Sequence, residues 1–175
     1  METPQGLKSF FPMKTVALYF LLMTLLAQGG EGASNCKIAR SIFQARHINN
    51  QIYYLSKMAS DADDDTTTRF ISRLIVKDVE ETNRCYVMKE VLNFQLREVL
   101  LSYEQKYEKY MRDVLPFLNN VKSKLSSCTM NGDTRKVQRT INDMRSKVQK
   151  LGKHAVVKAM SEMDMMLLYL RGYCS

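Results

Sequence analysis

Four cysteines are the residues of this 175-residue chain with the clearest chemical potential: Cys36, Cys85, Cys128 and Cys174. They lie far apart, whereas a structural zinc site needs close pairs such as C-x2-C. An even number of cysteines behind an export signal indicates two disulfides formed in an oxidising compartment. Four cysteines allow three connectivities, and their positions alone leave all three open.

Candidate catalytic groups are few. His47 and His154 are isolated in the sequence, and no P-loop, nucleophile elbow or H-E-x-x-H motif occurs. A cysteine nucleophile is not expected if all four cysteines pair. A secreted enzyme therefore has little support, and we predict a protein that is not an enzyme and uses no cofactor.

An acidic run, residues 61–65, resembles the start of a calcium loop because aspartate recurs at alternate positions. The rest of that pattern fails. Thr66 occupies the position that needs glycine, and Ser72 occupies the position of the bidentate glutamate. We predict a solvated loop here and no metal site.

The N-terminus has the organisation of a secretory signal peptide. Lys8 and Lys14 precede an apolar run of 12 residues, 16–27, and small residues follow it. The run is shorter than the roughly 20 residues that span a bilayer. We predict a leader over residues 1–32, a single secreted domain over residues 33–175 that keeps the net charge of +8, and no membrane insertion of the mature chain.

Glycine and proline, which tight turns require most often, are scarce after the leader. The only ones that remain are Gly132, Gly152, Gly172 and Pro116. A β-sandwich of this length needs many tight turns, so long helices fit better. Apolar residues recur at helical spacing in six segments, which we predict as helices: 38–59, 69–76, 80–101, 107–125, 137–151 and 156–174. The segment 80–101 is apolar over much of its circumference, which is typical of the buried centre of a bundle.

Several boundaries follow from local signals. We expect Pro116 to kink or break its helix, Asp133 to cap the next one, and Gly152 to end it. In the last segment, Met160 and Met163 lie on the apolar stripe and are predicted core residues, whereas Met165 falls off that stripe and is predicted to be exposed.

The predicted helix 133–153 is strongly basic and offers an alternative function, docking of a polyanion such as heparan sulfate or a microbial surface. No aromatic side chains alternate with its charges, which disfavours specific nucleic-acid binding. A solvent-facing amphipathic helix explains the same pattern. The cations of this candidate patch are Arg135, Lys136, Arg139, Arg145, Lys147, Lys150 and Lys153.

Several stretches resemble the interleukin-22 branch of the interleukin-10 family of class II helical cytokines. They are residues 85–94 (CYVMKEVLNF), Tyr110-Met111 followed by 114–118 (VLPFL), and 158–164 (KAMSEMD). The resemblance covers the whole chain after the leader, including the cysteine spacing. It implies a compact six-helix cytokine bundle with the disulfides Cys36–Cys128 and Cys85–Cys174.

The resemblance also implies a function. A secreted monomer would assemble a high-affinity receptor chain and a shared second chain, whose Janus kinases activate STAT factors. The implied contacts of the high-affinity chain are Tyr53, Lys57, Asp63, Thr66, Arg69, Ser161, Glu162, Met165, Leu168 and Arg171. Those of the second chain are His47, Asn50, Gln51, Tyr110 and Asp113. The chain departs from the family's pattern at His47, Gln51 and Thr67.

Overall fold

The amphipathic segments of this chain fold as α-helices, as their apolar spacing predicts. The computed structural model describes residues 36–130 and 132–175, so the predicted leader, residues 1–32, lies outside the described residues. Six α-helices occur in the described part: α1 Arg46–Asp61, α2 Arg84–Phe94, α3 Glu108–Lys124, α4 Arg135–Leu151, α5 His154–Ser161 and α6 Met163–Cys174. These residues contain no β-strand, which confirms the all-α class.

The N-terminal apolar stripe, residues 38–59, does not form one helix as predicted. A 3₁₀ turn covers Arg40–Gln44, and α1 begins only after Ala45, whose backbone is extended. Ile38 lies before both elements and donates its backbone N–H to the carbonyl of Cys174, 2.7 Å away. This bond holds the N-terminal segment against the end of α6, so the chain must turn before α1 can start.

The short segment 69–76 is not an α-helix either. It contains only a 3₁₀ turn at Arg73–Val76, in which Leu74 is exposed. Phe70 and Ile71 are buried, but a distant carboxylate accepts their backbone N–H groups. These two bonds hold the start of the segment to a distant part of the chain, and only residues 73–76 form a helical turn.

The central segment forms α2, which carries a 3₁₀ turn at Glu81–Asn83 before it and a π-helical turn at Gln95–Val99 after it. The π turn is closed by a bond from the Leu100 N–H to the Gln95 carbonyl, 2.8 Å long. None of the residues of α2 is exposed, which agrees with its predicted central position, and its buried residues are Cys85, Val87, Met88, Val91, Leu92 and Phe94.

Pro116 lies inside α3, and the helix continues without a break from Glu108 to Lys124. Of the predicted kink or break, the break does not occur. Pro116 is exposed, so water can reach the carbonyl that lacks a helical N–H partner.

The two ends of α4 are close to the prediction. Thr134 occupies the N-cap position, but the carboxylate of Asp133 accepts the first helical N–H, that of Arg135, at 2.9 Å. Gly152 ends the helix at φ +56°, a conformation that favours glycine. Asn131, the other residue of the predicted turn, lies outside the described residues.

The last apolar segment, residues 156–174, was predicted as one helix and is two. Glu162 separates α5 from α6, with φ −103° and ψ 11°. Met160 and Met163 are buried core residues as predicted, and Met165 is half-buried rather than exposed.

The helices share one main core. α1 packs against α3, α5 and α6, while α2 packs against α6 and α4. Side chains in its interior are fully or almost fully buried, among them Leu55, Met88, Leu92, Met111 and Leu118. None of the described helices is both long and apolar enough to cross a membrane.

Two disulfides link distant parts of the chain, and their pairing is the one that the family resemblance implies. Cys36 and Cys128 have Cα atoms 4.4 Å apart and are separated by 92 residues in the chain. Cys85 and Cys174 have Cα atoms 4.9 Å apart and are separated by 89 residues. The first bond holds the segment before α1, and the second ties α2 to the end of α6.

Removing the first disulfide should destabilise the fold. Replacing Cys36 and Cys128 together with alanine is expected to lower the free energy of unfolding by about 3–5 kcal/mol, because the unfolded chain regains the entropy of a long loop. Urea denaturation followed by circular dichroism measures the change. A loss below about 1 kcal/mol would contradict the expectation and show that native packing alone holds this segment.

Candidate functional site

The residues implied as high-affinity contacts come from α1, from α5 and α6 and the residue between them, and from residues 62–72. We call residues 62–72 the 62–72 loop, which contacts the junction of α5 and α6. One carboxylate holds the loop there. Oε2 of Glu162 accepts the backbone N–H groups of Phe70 and Ile71 at 2.8 and 2.6 Å. The Glu162 residue is only 3% exposed. Burial raises the pKa of this carboxyl, although the two N–H bonds and the positive charges of Lys158 and Arg69 act in the opposite direction.

A buried lysine holds the other end of the 62–72 loop. Lys158 of α5 is nearly inaccessible, and its Nζ lies 2.6 Å from Oδ2 of Asp63. It also donates to the backbone carbonyl of Asp65, and Ser161 donates its hydroxyl to Asp63 at 3.2 Å. A buried cation is tolerated only when paired and hydrogen-bonded, so these contacts fix the loop to α5.

Asp65 organises the bend between these two anchor points. Its carboxylate accepts the backbone N–H groups of Thr67 and Thr68 at 2.7 and 2.9 Å and also both hydroxyls. These bonds, led by those from Thr68, hold the pKa of Asp65 far below its usual range. Within the described residues, no cluster of three or more side chains could hold a metal ion.

The side chains of two predicted high-affinity contacts make bonds inside the protein. Glu162 is buried beneath the 62–72 loop, so it supports the surface from inside and is not on it. The side chain of Asp63 is 12% exposed and is committed to Lys158. Sequence reasoning missed Lys158, although a single lysine within an otherwise apolar run, 155–160, was the available signal.

The remaining predicted high-affinity contacts lie on what we call the first surface: Tyr53, Lys57, Thr66, Arg69, Ser161, Met165, Leu168 and Arg171. Ser161 and Met165 are half-buried, and the others are exposed. A bond from the Asp164 N–H to the Ser56 hydroxyl, 3.1 Å long, ties the start of α6 to α1. With the loop clamped to α5, this bond brings the three parts of the first surface together.

The predicted contacts of the second receptor chain lie on α1 and α3, on what we call the second surface: His47, Asn50, Gln51, Tyr110 and Asp113. Nε2 of His47 lies 2.9 Å from Oδ2 of Asp113, so the structure joins these two residues directly. Tyr110 is half-buried against the core and presents the rest of its ring beside Lys109. Gln51 is half-buried, and its Oε1 atom has no hydrogen-bond partner among the described residues.

The predicted polyanion patch is partly neutralised by the protein itself. Arg145 forms two bonds to the Glu98 carboxylate, at 2.8 and 2.6 Å. Three other cations of the patch have protein acceptors: Arg135 pairs with Asp133, Lys147 pairs with Asp143, and Lys136 donates to the Asp78 carbonyl. In the part of the chain that the structure describes, the patch cations for which no ion pair or hydrogen bond to the protein is seen are Arg139, Lys150 and Lys153, and Arg139 acts on Asp133 only through its charge.

Comparison with known proteins points to one family. A family profile described as "Interleukin 22 IL-10-related T-cell-derived-inducible factor" matches residues 36–174, which include both disulfides and all six helices. Interleukin-22 of Homo sapiens is 39% identical over 178 residues, with 99% of each chain covered. Interleukin-22b of Mus musculus is 35% identical over 178 residues, again with 99% of each chain covered.

The buried carboxyl of Glu162 should give a measurable pH dependence. Its pKa is raised on folding, so it contributes the most stability below the unfolded pKa and loses that contribution as the pH rises through the folded pKa. Glu162→Gln keeps an oxygen for the two N–H groups but cannot ionise. Its stability relative to the original protein should therefore increase from about pH 4 to about pH 7, measured by urea denaturation across that range.

Glu98→Gln is the matched control for this experiment. In the original protein, hydrogen bonds from Arg145 hold the pKa of Glu98 below the usual value. Glu98 therefore contributes stability above its unfolded pKa and loses that contribution as the pH falls through its folded pKa. The relative stability of this variant should therefore decrease over the same rise in pH. A Glu162→Gln curve that runs parallel to the original protein would show that burial does not perturb Glu162.

Proposed function

Because this chain belongs to the interleukin-22 family, which is a family of cytokines within the interleukin-10 group, we propose that it is a secreted ligand that assembles a two-chain class II cytokine receptor. Residues 1–32 serve as its signal peptide, and residues 33–175 form the active monomer. Its partners are an interleukin-22 receptor chain, bound with high affinity, and the shared interleukin-10 receptor second chain.

The clamped 62–72 loop is the observation that carries this proposal. A free loop would lose much conformational entropy on binding a receptor, and that loss weakens affinity. Here the buried contacts of Glu162 and Lys158 fix the loop before any partner arrives. The exposed side chains of the first surface are thus presented in a prearranged form by a rigid backbone.

The first surface has the mixture of groups expected of a receptor site. Arg69 offers a guanidinium for charge-assisted bonds, and Leu168, which is 51% exposed, offers an apolar anchor next to the half-buried Met165. Tyr53 adds an exposed aromatic ring from α1. Tyr53 and Leu168 expose apolar area that a partner would cover, and the high-affinity chain is that partner.

The second surface binds the shared chain. Tyr110 is its central aromatic group, and the bonded pair of His47 and Asp113 fixes the adjoining part of α1 against α3. Bringing two receptor chains to one cytokine places their cytoplasmic Janus kinases side by side, and these kinases then activate STAT factors. The downstream responses are epithelial defence and inflammation.

Receptor assembly is tested directly with the two receptor ectodomains from the species of this cytokine. We expect the interleukin-22 receptor chain to bind alone and the shared second chain to join in a ternary complex, detected by size-exclusion chromatography with light scattering. If neither chain binds the folded cytokine, receptor assembly is not its function. Retention on heparin that depends on Arg139, Lys150 and Lys153 would then favour the polyanion alternative.

Single substitutions should separate the two surfaces. Arg69→Ala and Met165→Ala are expected to weaken binding of the high-affinity chain about tenfold, since each removes about 1–2 kcal/mol of contact energy, with little change in melting temperature. Tyr110→Ala is the complementary variant, which should spare this binding but reduce STAT activation in reporter cells. Loss of thermal stability in both first-surface variants would identify those residues as structural, and full signalling by Tyr110→Ala would remove Tyr110 from the second surface.

A further inference from the structure

Two neighbouring tyrosines stand out on the exposed side of α1. Tyr53 is 56% exposed and Tyr54 is 54% exposed, and their rings form an edge-to-face pair with centroids 5.5 Å apart and planes at 69°. Tyrosine is enriched among the residues that carry most of the energy of protein interfaces. Tyr53 belongs to the first surface, whereas the family resemblance assigns no role to Tyr54.

Helix geometry assigns Tyr54 to a different side of α1 from Tyr53. Successive residues of an α-helix are rotated by about 100°, so residues seven apart lie within about 20° of each other and about 10 Å apart along the axis. Tyr54 follows His47 by seven residues and thus continues the line of the second surface. Tyr53 is rotated from Tyr54 by about 100° and precedes Lys57, another residue of the first surface, by four residues.

Hydrogen bonds locate the two sides of α1. His47 bonds Asp113, so the line of α1 that carries His47 and Tyr54 adjoins α3 at His47, while Tyr54 itself stays exposed. Ser56 accepts the N–H of Asp164, so the opposite side of α1 faces α6. The two tyrosine rings therefore touch where the edges of the two surfaces meet.

On the basis of the receptor function proposed above, we propose that Tyr54 is a contact of the second receptor chain and that its ring contact with Tyr53 couples the two receptor-binding surfaces. A receptor chain that packs on Tyr53 restricts the rotamers of this ring. The edge-to-face contact then restricts Tyr54 as well, so the second chain binds a side chain that has already lost part of its freedom. Such coupling is reciprocal between the two binding events.

The test measures a coupling factor. The ectodomain of the shared second chain is titrated onto immobilised cytokine, first alone and then with a saturating amount of the interleukin-22 receptor ectodomain. The ratio of the two dissociation constants is the coupling factor. Tyr54→Ala should weaken second-chain binding about tenfold while changing high-affinity binding less than about twofold.

Tyr53→Ala gives the sharper result, because this side chain lies outside the second surface. It should weaken high-affinity binding and also reduce the coupling factor by roughly twofold to tenfold, the range expected for one aromatic pair. The double variant should reduce the coupling factor no further than either single variant. Leu101→Ala is the matched control, because it also removes a large exposed apolar side chain, 73% exposed, but one that lies outside both surfaces. This variant should bind both receptor chains like the original protein.

The outcomes separate this inference from the proposed function. If Tyr54→Ala binds the second chain like the original protein, or if both single variants keep the original coupling factor, the inference is overturned while receptor assembly stands. If the original protein binds neither receptor chain, both proposals are overturned. Melting temperatures of the variants, which should stay within a few degrees of the original, exclude unfolding as the cause of lost binding.

Discussion

The candidate site depends on the two hydrogen bonds that the backbone of the 62–72 loop donates to Glu162. One buried oxygen accepts two successive N–H groups, at 2.8 and 2.6 Å, and thereby satisfies donors that a buried, non-helical segment would otherwise leave without partners. The same residue separates α5 from α6. A single carboxylate thus anchors the end of the loop at the point where the last two helices meet.

Helix class, the central position of α2 and most core residues could be predicted, because they depend on apolar spacing within one segment. Helix ends were predicted less well wherever a distant partner decides them. Nothing in the sequence near Phe70 indicates that its N–H bonds a glutamate 92 residues further on. The family resemblance placed Glu162 and Asp63 among the receptor contacts, but a resemblance carries over positions and not the internal bonds that these two carboxylates make in the fold.

α1, a helix of 16 residues, contributes to the core and to both candidate surfaces. Its apolar side contributes Ile52, Leu55 and Ala59 to the core, and its polar sides contribute to both candidate surfaces. Bonds to α3 and α6 restrain it on either side. A shift of α1 would therefore move residues of both candidate surfaces at the same time.

The two disulfides also set the size of the unfolded molecule. Cys128 lies within the segment that the Cys85–Cys174 bond closes into a ring, and Cys36 is attached to that ring at Cys128. Without the bonds, Cys36 and Cys174 could lie about 480 Å apart in the extended chain. With the bonds, the shortest covalent path between them crosses to Cys128 and then runs halfway around the ring, over roughly 45 residues or about 160 Å. A denatured but oxidised molecule therefore stays much shorter than its chain length suggests, and its hydrodynamic radius reports whether the disulfides are intact.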